Sequence, residues 1–266
     1  RVRGLAPLSI PGQVRAHVCS LAPRRMALRS GVCRFAKKGH SLQWVQRHVN
    51  DQYVQLAQEK MYRSRSAYKL RQLDGRFSFL KHRSVIVDLG CSPGGWSQVA
   101  LERTLPSNGR RHSVVIGVDK LPMEPMEHHH FIHGDVFEAR TLSRVKEILG
   151  DRSATVVLAD MAPKMMGSKI DDHVASVELC RAAARFADAV LVSRGWFITK
   201  VFAGPLADRF RAELEERYGK VRIAKPKASR PESVEMYFVC SQFLGGWKDG
   251  ASGPAPPDGD AMRPPP

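Results

Sequence analysis

Four charged residues stand at or near the ends of short apolar segments, where a parallel sheet would gather them. Asp88, Asp119 and Asp160 each close a run rich in β-branched residues, and Lys200 lies near the end of a fourth run. A single aspartate after a strand usually forms a turn or caps a helix. Three of them in corresponding places indicate a ligand site, because open α/β sheets bind ligands beyond the carboxyl ends of their strands.

A loop that contains glycine follows the first of these segments. It reads Asp88-Leu-Gly90-Cys-Ser-Pro-Gly94-Gly95-Trp96 and leads into a helical pattern. Gly90 and Gly94 allow sharp turns close to a ligand, but their spacing is not that of a dinucleotide-binding loop. The carboxylate of Asp119 suits the two hydroxyls of a ribose. Together these features predict a nucleoside ligand without phosphates, such as S-adenosylmethionine.

Strands and helices are predicted in alternation around these residues. Strands are expected at 84–88, 113–119, 154–160, 196–201 and 234–240, and helices at 97–104, 141–149, 173–190 and 206–218. The first four strands are almost continuously apolar, which is typical of strands buried on both faces of a parallel sheet. Gly219 is interpreted as the residue that ends the last helix. The alternation predicts a doubly wound α/β fold.

Several motifs, in a fixed order, carry a resemblance to a known family. They are Asn50-Asp-Gln-Tyr-Val-Gln-Leu-Ala57, Arg63-Ser-Arg-Ser-Ala-Tyr-Lys-Leu70, Pro93-Gly-Gly-Trp96, Asp119-Lys-Leu-Pro-Met-Glu-Pro125, Asp160-Met-Ala-Pro163, Thr199-Lys-Val-Phe202 and Glu235-Met-Tyr237. With these motifs the chain resembles the FtsJ/RrmJ (RlmE) family of S-adenosylmethionine-dependent rRNA 2′-O-ribose methyltransferases, and is closest in pattern to its mitochondrial members. The resemblance implies a Rossmann-like methyltransferase fold, an α/β fold with a mostly parallel seven-stranded sheet and helices on both faces.

The resemblance also implies a tetrad of catalytic residues, Lys69, Asp160, Lys200 and Glu235. A ribose 2′-hydroxyl is a poor nucleophile, so an enzyme must align it with an activated methyl group and help to remove its proton. We assign this role to Lys200. Lysine is a poor base at neutral pH, but a second ammonium at Lys69 would lower its pKa. Asp160 would complete the electrostatic frame and Glu235 would support it.

Cofactor contacts are implied by the same resemblance. They fall on Gly94, Trp96, Asp119, Asp135 and Asp160. Asp135 is expected to meet the amino group of adenine. Lys164 departs from the family, which usually has asparagine after Asp-Met-Ala-Pro, and would place an extra cation at the rim of the site.

Metal sites, disulfides and membrane spans are not predicted. His128-His129-His130 and His133 have a spacing that fits no tetrahedral metal site, and the segment is predicted to be a loop. Five widely spaced cysteines without a C-x-x-C pair disfavour zinc and disulfides and favour a reducing compartment. No apolar run approaches the roughly 18 residues of a membrane-spanning helix.

Positive charge is concentrated at the start of the chain. The 266 residues include 42 Lys and Arg against 26 Asp and Glu, a net charge of +16, and residues 1–40 hold nine bases and no acid. That composition predicts an organelle transit peptide over 1–40 and, with the resemblance, a protein of the mitochondrial matrix. A basic disordered arm that touches RNA is the alternative. Met26 is a candidate start of translation.

The remaining chain divides into a methyltransferase domain at 41–243 and a flexible Gly/Pro-rich tail at 244–266. The tail carries six prolines and few large apolar residues. Two segments of the domain are basic: 60–83 has eight bases and one acid, and 217–230 has six bases and no acid. Both are interpreted as an RNA-phosphate platform, with a solvated helix face as the alternative.

These features predict S-adenosylmethionine-dependent 2′-O-methylation of a ribose in mitochondrial large-subunit rRNA, in the A-loop region as the resemblance implies. The expected partner is that rRNA or the assembling mitochondrial large ribosomal subunit. Two alternatives stay open: an rRNA-binding assembly factor with little catalytic role, and a ribose methyltransferase acting on transfer RNA or an mRNA cap. The complete tetrad favours the enzyme, because a scaffold needs no Lys200 and Glu235 together.

Overall fold

The computed structural model describes residue 46, residues 48–105 and residues 113–245. The predicted transit peptide, Met26 and the tail from residue 246 lie outside the described residues. The helices of the described part are α1 (Gln52–Glu59), α2 (Ala67–Phe77), α3 (Gly95–Thr104), α4 (Ala139–Leu149), α5 (Lys169–Val190) and α6 (Pro205–Glu215). Its strands are β1 (Val85–Leu89), β2 (Val114–Asp119), β3 (His129–His133), β4 (Ala154–Ala159), β5 (Leu191–Phe202), β6 (Tyr218–Ala224) and β7 (Glu235–Phe243).

The seven strands form one sheet in the order β3-β2-β1-β4-β5-β7-β6. Strands β1 to β5 are parallel, and β7 runs antiparallel between β5 and β6. The chain order reverses between β1 and β4, which opens a crevice beyond the carboxyl ends of these two strands. The predicted α/β fold with a mostly parallel seven-stranded sheet is confirmed.

Helices cover both faces of the sheet. On one face, α4, α5 and α6 contribute Val145, Val177 and Phe210 to one apolar cluster. On the other face, α2 and α3 contribute Leu70 and Val99 to a second cluster. Each of these side chains is at most 1% exposed, and burying one removes about 1.5–3 kcal/mol of unfavourable apolar hydration. The α2–α3 face carries the residues of the candidate site.

Two predicted elements are wrong, and both corrections concern the edges of the sheet. Residues 129–133, predicted as part of a loop, form β3, which pairs in parallel with β2. Only Ile132 of that strand is buried, so the segment lacks the apolar run of a central strand. The helix predicted over 206–218 ends at Glu215, and Gly219 lies inside β6 instead of ending a helix.

Candidate active site

The loop between β1 and α3 has glycine where the backbone requires it. Gly90 has φ +78° and Gly94 has φ +114°, in the left-handed region that side chains rarely adopt. A Cβ atom at Gly90 would collide with the side chain of Met161. A Cβ atom at Gly94 would lie 2.9 Å from both Arg63 Cδ and Met126 Cε. The loop is therefore closely packed at the crevice, and Gly94 stands where the sequence predicted a cofactor contact.

Asp119 ends β2 and its carboxylate is held by main-chain donors. Oδ2 accepts a hydrogen bond of 2.8 Å from the amide of Ser92, and Oδ1 accepts one of 2.8 Å from the amide of Leu121. A carboxylate has about four acceptor positions, so both oxygens can accept further hydrogen bonds. Asp119 is thus fixed beside the glycine loop with acceptor capacity left for a diol.

Asp135 follows β3 at the same edge of the sheet. Its Oδ2 lies 2.7 Å from Nζ of Lys120, and its Oδ1 accepts a hydrogen bond of 3.1 Å from the amide of Phe137. The side chain of Asp135 is 21% exposed and that of Lys120 is 65% exposed. Lys120 can therefore swing away and leave Asp135 to an entering hydrogen-bond donor.

Trp96 lies inside the core. Trp96 is only 2% exposed, and its indole N–H donates a hydrogen bond of 2.9 Å to the carbonyl of Ser66. The indole also stacks on Tyr237 with the ring centroids 5.8 Å apart. The side chain thus ties α3 to α2 and β7, and the predicted cofactor contact at Trp96 would have to use its backbone.

The structure brings the tetrad together as two ion pairs. Nζ of Lys69, in α2, lies 2.5 Å from Oε1 of Glu235, the first residue of β7. Nζ of Lys200, in β5, lies 3.1 Å from Oδ1 of Asp160 and also donates to the Asp160 carbonyl at 3.1 Å. Lys69, Lys200 and Glu235 are each at most 9% exposed. Four residues separated by up to 166 positions in the chain thus meet at the carboxyl ends of β4 and β5.

Glu235 is held ionised by its cations. Burial alone would raise its pKa, but the ammonium of Lys69, together with the charge of Lys200, outweighs burial and lowers the pKa. The carboxylate therefore keeps its charge at neutral pH and holds the Lys69 ammonium at the site.

Tyr237 is a site residue to which the sequence analysis assigned no role. Its hydroxyl donates a hydrogen bond of 2.8 Å to Oδ1 of Asp160. Burial, and then the charges of Asp160 and Glu235, raise the pKa of Tyr237 well above its usual value, so it stays a donor. The alternation of β7 gave a signal for it, because Tyr237 lies two residues after Glu235 on the same face of the sheet.

Asp88 does not face the crevice as the other two strand-ending aspartates do. It is fully buried, and its Oδ2 accepts a hydrogen bond of 2.7 Å from the hydroxyl of Ser97 in α3. Burial, followed by the charges of Asp160 and Asp119, raises the pKa of Asp88 to about 7. Asp88 is therefore not available to a ligand in the crevice, and the prediction of a ligand site stays with Asp119 and Asp160.

Each of the two basic segments has four cations that face solvent. In segment 60–83 the exposed bases are Lys60, Arg76, Lys81 and Arg83. Segment 217–230 forms β6 and the loop after it, so the alternative of a solvated helix face is wrong there. In this segment Arg217 is buried and pairs with Asp188 at 3.0 Å, whereas Lys220, Arg222, Lys225 and Lys227 are exposed. Lys164 is also exposed.

Residues 46, 48–105 and 113–245 contain neither a candidate metal site nor a candidate membrane span. There, no three His, Cys, Asp or Glu side chains lie close enough together to hold a metal ion. None of the described helices is long and apolar enough to cross a membrane.

Known proteins are similar to this chain in sequence and in structure. The FtsJ-like methyltransferase family matches residues 62–243. A ribosomal RNA large subunit methyltransferase E from Parvibaculum lavamentivorans is 41% identical over 214 residues, covering 79% of this chain and 84% of that protein. One from Dechloromonas aromatica is 40% identical over 196 residues, covering 74% and 93%. A crystal structure of a ribosomal RNA methyltransferase from Plasmodium falciparum is 37% identical with a TM-score of 0.63, covering 69% of this chain and all of that one. This chain belongs to the FtsJ-like methyltransferase family.

Proposed function

We propose that this protein transfers a methyl group from S-adenosylmethionine to the 2′-hydroxyl of a ribose in large-subunit rRNA. The observation that carries the proposal is the buried Lys200–Asp160 pair, with the Lys69–Glu235 pair beside it, at the crevice of the sheet. The names of the relatives, ribosomal RNA large subunit methyltransferase E, support rRNA as the substrate.

The crevice fits S-adenosylmethionine on three observations. The left-handed glycines Gly90 and Gly94 let the loop turn sharply at the crevice, where a ligand can approach its backbone. Asp119 retains acceptor positions for the two ribose hydroxyls, and Asp135 can accept from the amino group of adenine once Lys120 moves. When bound, the cofactor supplies a methyl group that its sulfonium has already activated.

The protein's own task is to prepare the oxygen nucleophile. Lys200 lies where its ammonium can orient the 2′-hydroxyl. Once that ammonium has released a proton to solvent, the neutral amine can take up the proton of the hydroxyl as the oxygen–methyl bond forms and the bond between the methyl group and the sulfonium breaks. Asp160 holds Nζ of Lys200 through both its side chain and its carbonyl, and the hydroxyl of Tyr237 fixes the Asp160 carboxylate. Because these groups are already in place, little reorganisation is needed at the moment of reaction.

The reaction can be tested with purified protein, a large-subunit rRNA fragment and radiolabelled S-adenosylmethionine. We expect label in RNA, at a nucleotide whose 3′ phosphodiester resists alkaline hydrolysis because its 2′-oxygen is methylated. Lys200→Ala should abolish transfer and leave cofactor affinity within about twofold, while Lys146→Ala, at an exposed position of α4, should retain full activity. Label on a base, or activity in Lys200→Ala, would refute the assignment.

A mitochondrial matrix location is part of the proposal. Nine bases without an acid in residues 1–40 support it, because such segments serve as import signals. The substrate would then be mitochondrial large-subunit rRNA, in the A-loop region that the family resemblance implies. Mapping 2′-O-methyl groups on that rRNA in cells with and without the protein tests both points. An unchanged map, or a protein excluded from mitochondria, would contradict them.

A further inference from the structure

A basic cavity lies on the same face of the sheet as Lys200, toward the other ends of the strands. Its volume is about 300 Å³, and its lining residues are Arg194, Trp196, Lys220, Arg222, Ser241 and Gln242. Trp196, Ser241 and Lys220 stand opposite one another on β5, β7 and β6. Trp196 is four residues from Lys200 along β5, which corresponds to about 13 Å at the rise of a strand. The basic cavity is therefore separate from the crevice but within reach of the same RNA.

Charge in the basic cavity is not neutralised by the described part of the protein. Arg194, Lys220 and Arg222 are exposed, and no carboxylate of the described residues lies within 4.0 Å of their nitrogen atoms. By contrast, Arg217 in the same segment is paired with Asp188. Like charges held together without counter-charges repel one another and attract a polyanion. These cations are therefore available to a nucleic-acid partner and are not neutralised by acidic side chains of the described residues.

Trp196 gives the basic cavity an aromatic floor, and the rings of Phe77 and Phe79 lie beside its lining residues. Trp196 is half-buried, with its ring centroid 5.9 Å from that of Phe79. The guanidinium carbons of Arg222 and Arg76 lie 5.9 Å and 5.0 Å from the ring centroid of Phe77, the last residue of α2. Cations beside aromatic rings are the usual means of binding unpaired nucleic acid, in which phosphates meet cations and bases stack on rings.

The backbone at the rim of the basic cavity is unusual as well. Arg194 has φ +65° and Gln242 has φ +62°, and both residues line the cavity from different strands. Non-glycine residues seldom adopt this conformation, and they persist in it where the surrounding structure enforces it. The two side chains are thus directed by bends in β5 and β7 and do not follow the regular alternation of a strand.

We propose that the basic cavity is a second RNA-binding surface, which holds backbone phosphates of an unpaired rRNA segment outside the target nucleotide. An unpaired segment is favoured over a duplex because the bases of an A-form helix cannot reach an aromatic floor. The choice of rRNA rests on the proposed function. The surface would add affinity and orient the substrate without touching the reacting atoms.

The triple variant Arg194→Gln/Lys220→Gln/Arg222→Gln tests this proposal, because all three positions are exposed. The measurement is the affinity for an rRNA fragment by fluorescence anisotropy between 50 and 300 mM salt. Each lost phosphate contact should flatten the log–log salt dependence by about 0.7, so the triple variant should lose about 2. Affinity at physiological salt should fall at least tenfold, while kcat at saturating RNA and cofactor affinity stay unchanged.

The matched control is Lys146→Gln/Arg185→Gln/Arg209→Gln, which removes the same charge from exposed positions of α4, α5 and α6 on the other face. An equal loss in the control would attribute the effect to net charge and overturn the proposal. An unchanged salt dependence in the test variant would also overturn the proposal. So would a test variant that keeps its affinity for the rRNA fragment and loses only binding to ribosomal protein.

Failure of this inference is distinguishable from failure of the proposed function. If the wild-type protein binds rRNA, the test variant weakens binding and no methyl group is transferred, the RNA surface stands and the enzyme assignment fails. If methyl transfer is observed and the test variant binds rRNA like the wild type, the enzyme assignment stands and the RNA surface is refuted.

Discussion

Asp160 organises the candidate site at the scale of single residues. Its carboxylate oxygen Oδ1 receives both the Lys200 ammonium at 3.1 Å and the Tyr237 hydroxyl at 2.8 Å. Its side chain is only 12% exposed, so the Coulomb interaction with Lys200 is less screened than at the surface. A buried charge that loses its partner is far more costly than one that is never buried, so each member of this network supports the others.

Tyr237→Phe should separate the hydrogen bond from the packing of the ring. The ring still stacks on Trp96, but Asp160 loses its neutral donor and holds Lys200 less firmly. We expect kcat to fall about tenfold, which corresponds to about 1.4 kcal/mol, with KM for the cofactor unchanged. Steady-state kinetics measure both constants. Tyr218→Phe removes another buried phenol hydroxyl, away from the site, and should leave kcat unchanged; a matching loss there would contradict the role given to Tyr237.

Lys69→Met should lower the stability of the fold, because it leaves the Glu235 carboxylate without its partner. Both residues are 8% exposed, so the variant leaves a buried carboxylate without its cation. We expect the free energy of unfolding to drop by about 3–5 kcal/mol at pH 7, measured by urea denaturation. The double variant Lys69→Met/Glu235→Gln should recover most of this stability because the remaining charge is removed, yet it should not recover activity. A double variant as unstable as Lys69→Met would contradict the pairing.

Asp88→Asn should change how stability depends on pH. Burial raises the folded-state pKa of Asp88 to about 7, whereas its pKa in the unfolded chain is near 4. The protonated side chain therefore contributes its full stabilisation below about pH 4. This contribution falls as the pH rises and is lost once the pH has passed about 7. The asparagine variant cannot ionise and keeps its stability. Relative to wild type, its free energy of unfolding should rise by about 2 kcal/mol between pH 5.5 and 7.5 in urea titrations. A difference independent of pH would show that Asp88 is ionised throughout.

At the scale of elements, the central strands and the tetrad were predictable and the edges were not. The strands β1, β2 and β4, and β5 over 196–202, are buried or nearly so on both faces, so their apolar runs predict them. The edge strands β3 and β6 bury only one and two of their residues, and their hydrogen bonds to a neighbour leave no apolar pattern in the sequence. Tyr237 and the basic cavity depend on how β7 pairs with β5 and β6, which is a register between distant segments.

Gly94→Ala tests the turn that leads from β1 into α3. At φ +114° an alanine is strained, and its Cβ would press against Arg63 and Met126. We expect a loss of about 1–3 kcal/mol in the free energy of unfolding and at least tenfold weaker cofactor binding, by denaturation and calorimetry. Gly75→Ala is the control, since Gly75 lies inside α2 with open space where its Cβ would stand, and it should stabilise by about 0.5–1 kcal/mol. Equal behaviour of the two variants would contradict the strained turn.

At the scale of the whole molecule, the net charge of +16 combines two contributions that act in different ways. Nine of the positive charges precede residue 41, in the segment interpreted as an import signal. The body has a smaller excess, and part of it, such as Arg217, is neutralised by internal ion pairs. The positive charge that remains available to RNA depends on where the exposed cations lie, which is on β6 and near the end of α2. Under the proposed function, we therefore expect a weaker affinity for RNA than the net charge alone would predict.

Removal of residues 1–40 separates the import signal from an RNA-binding arm. If these residues address the protein to mitochondria, the shortened protein should keep its methylation rate and the salt dependence of rRNA binding in vitro, but fail to enter isolated mitochondria. If they bind RNA, nine lost phosphate contacts would flatten the log–log salt dependence by about 6, which is too large a change to miss. A flattened salt dependence together with normal import would therefore assign this basic segment to RNA, and the folded body would need no import signal from residues 1–40.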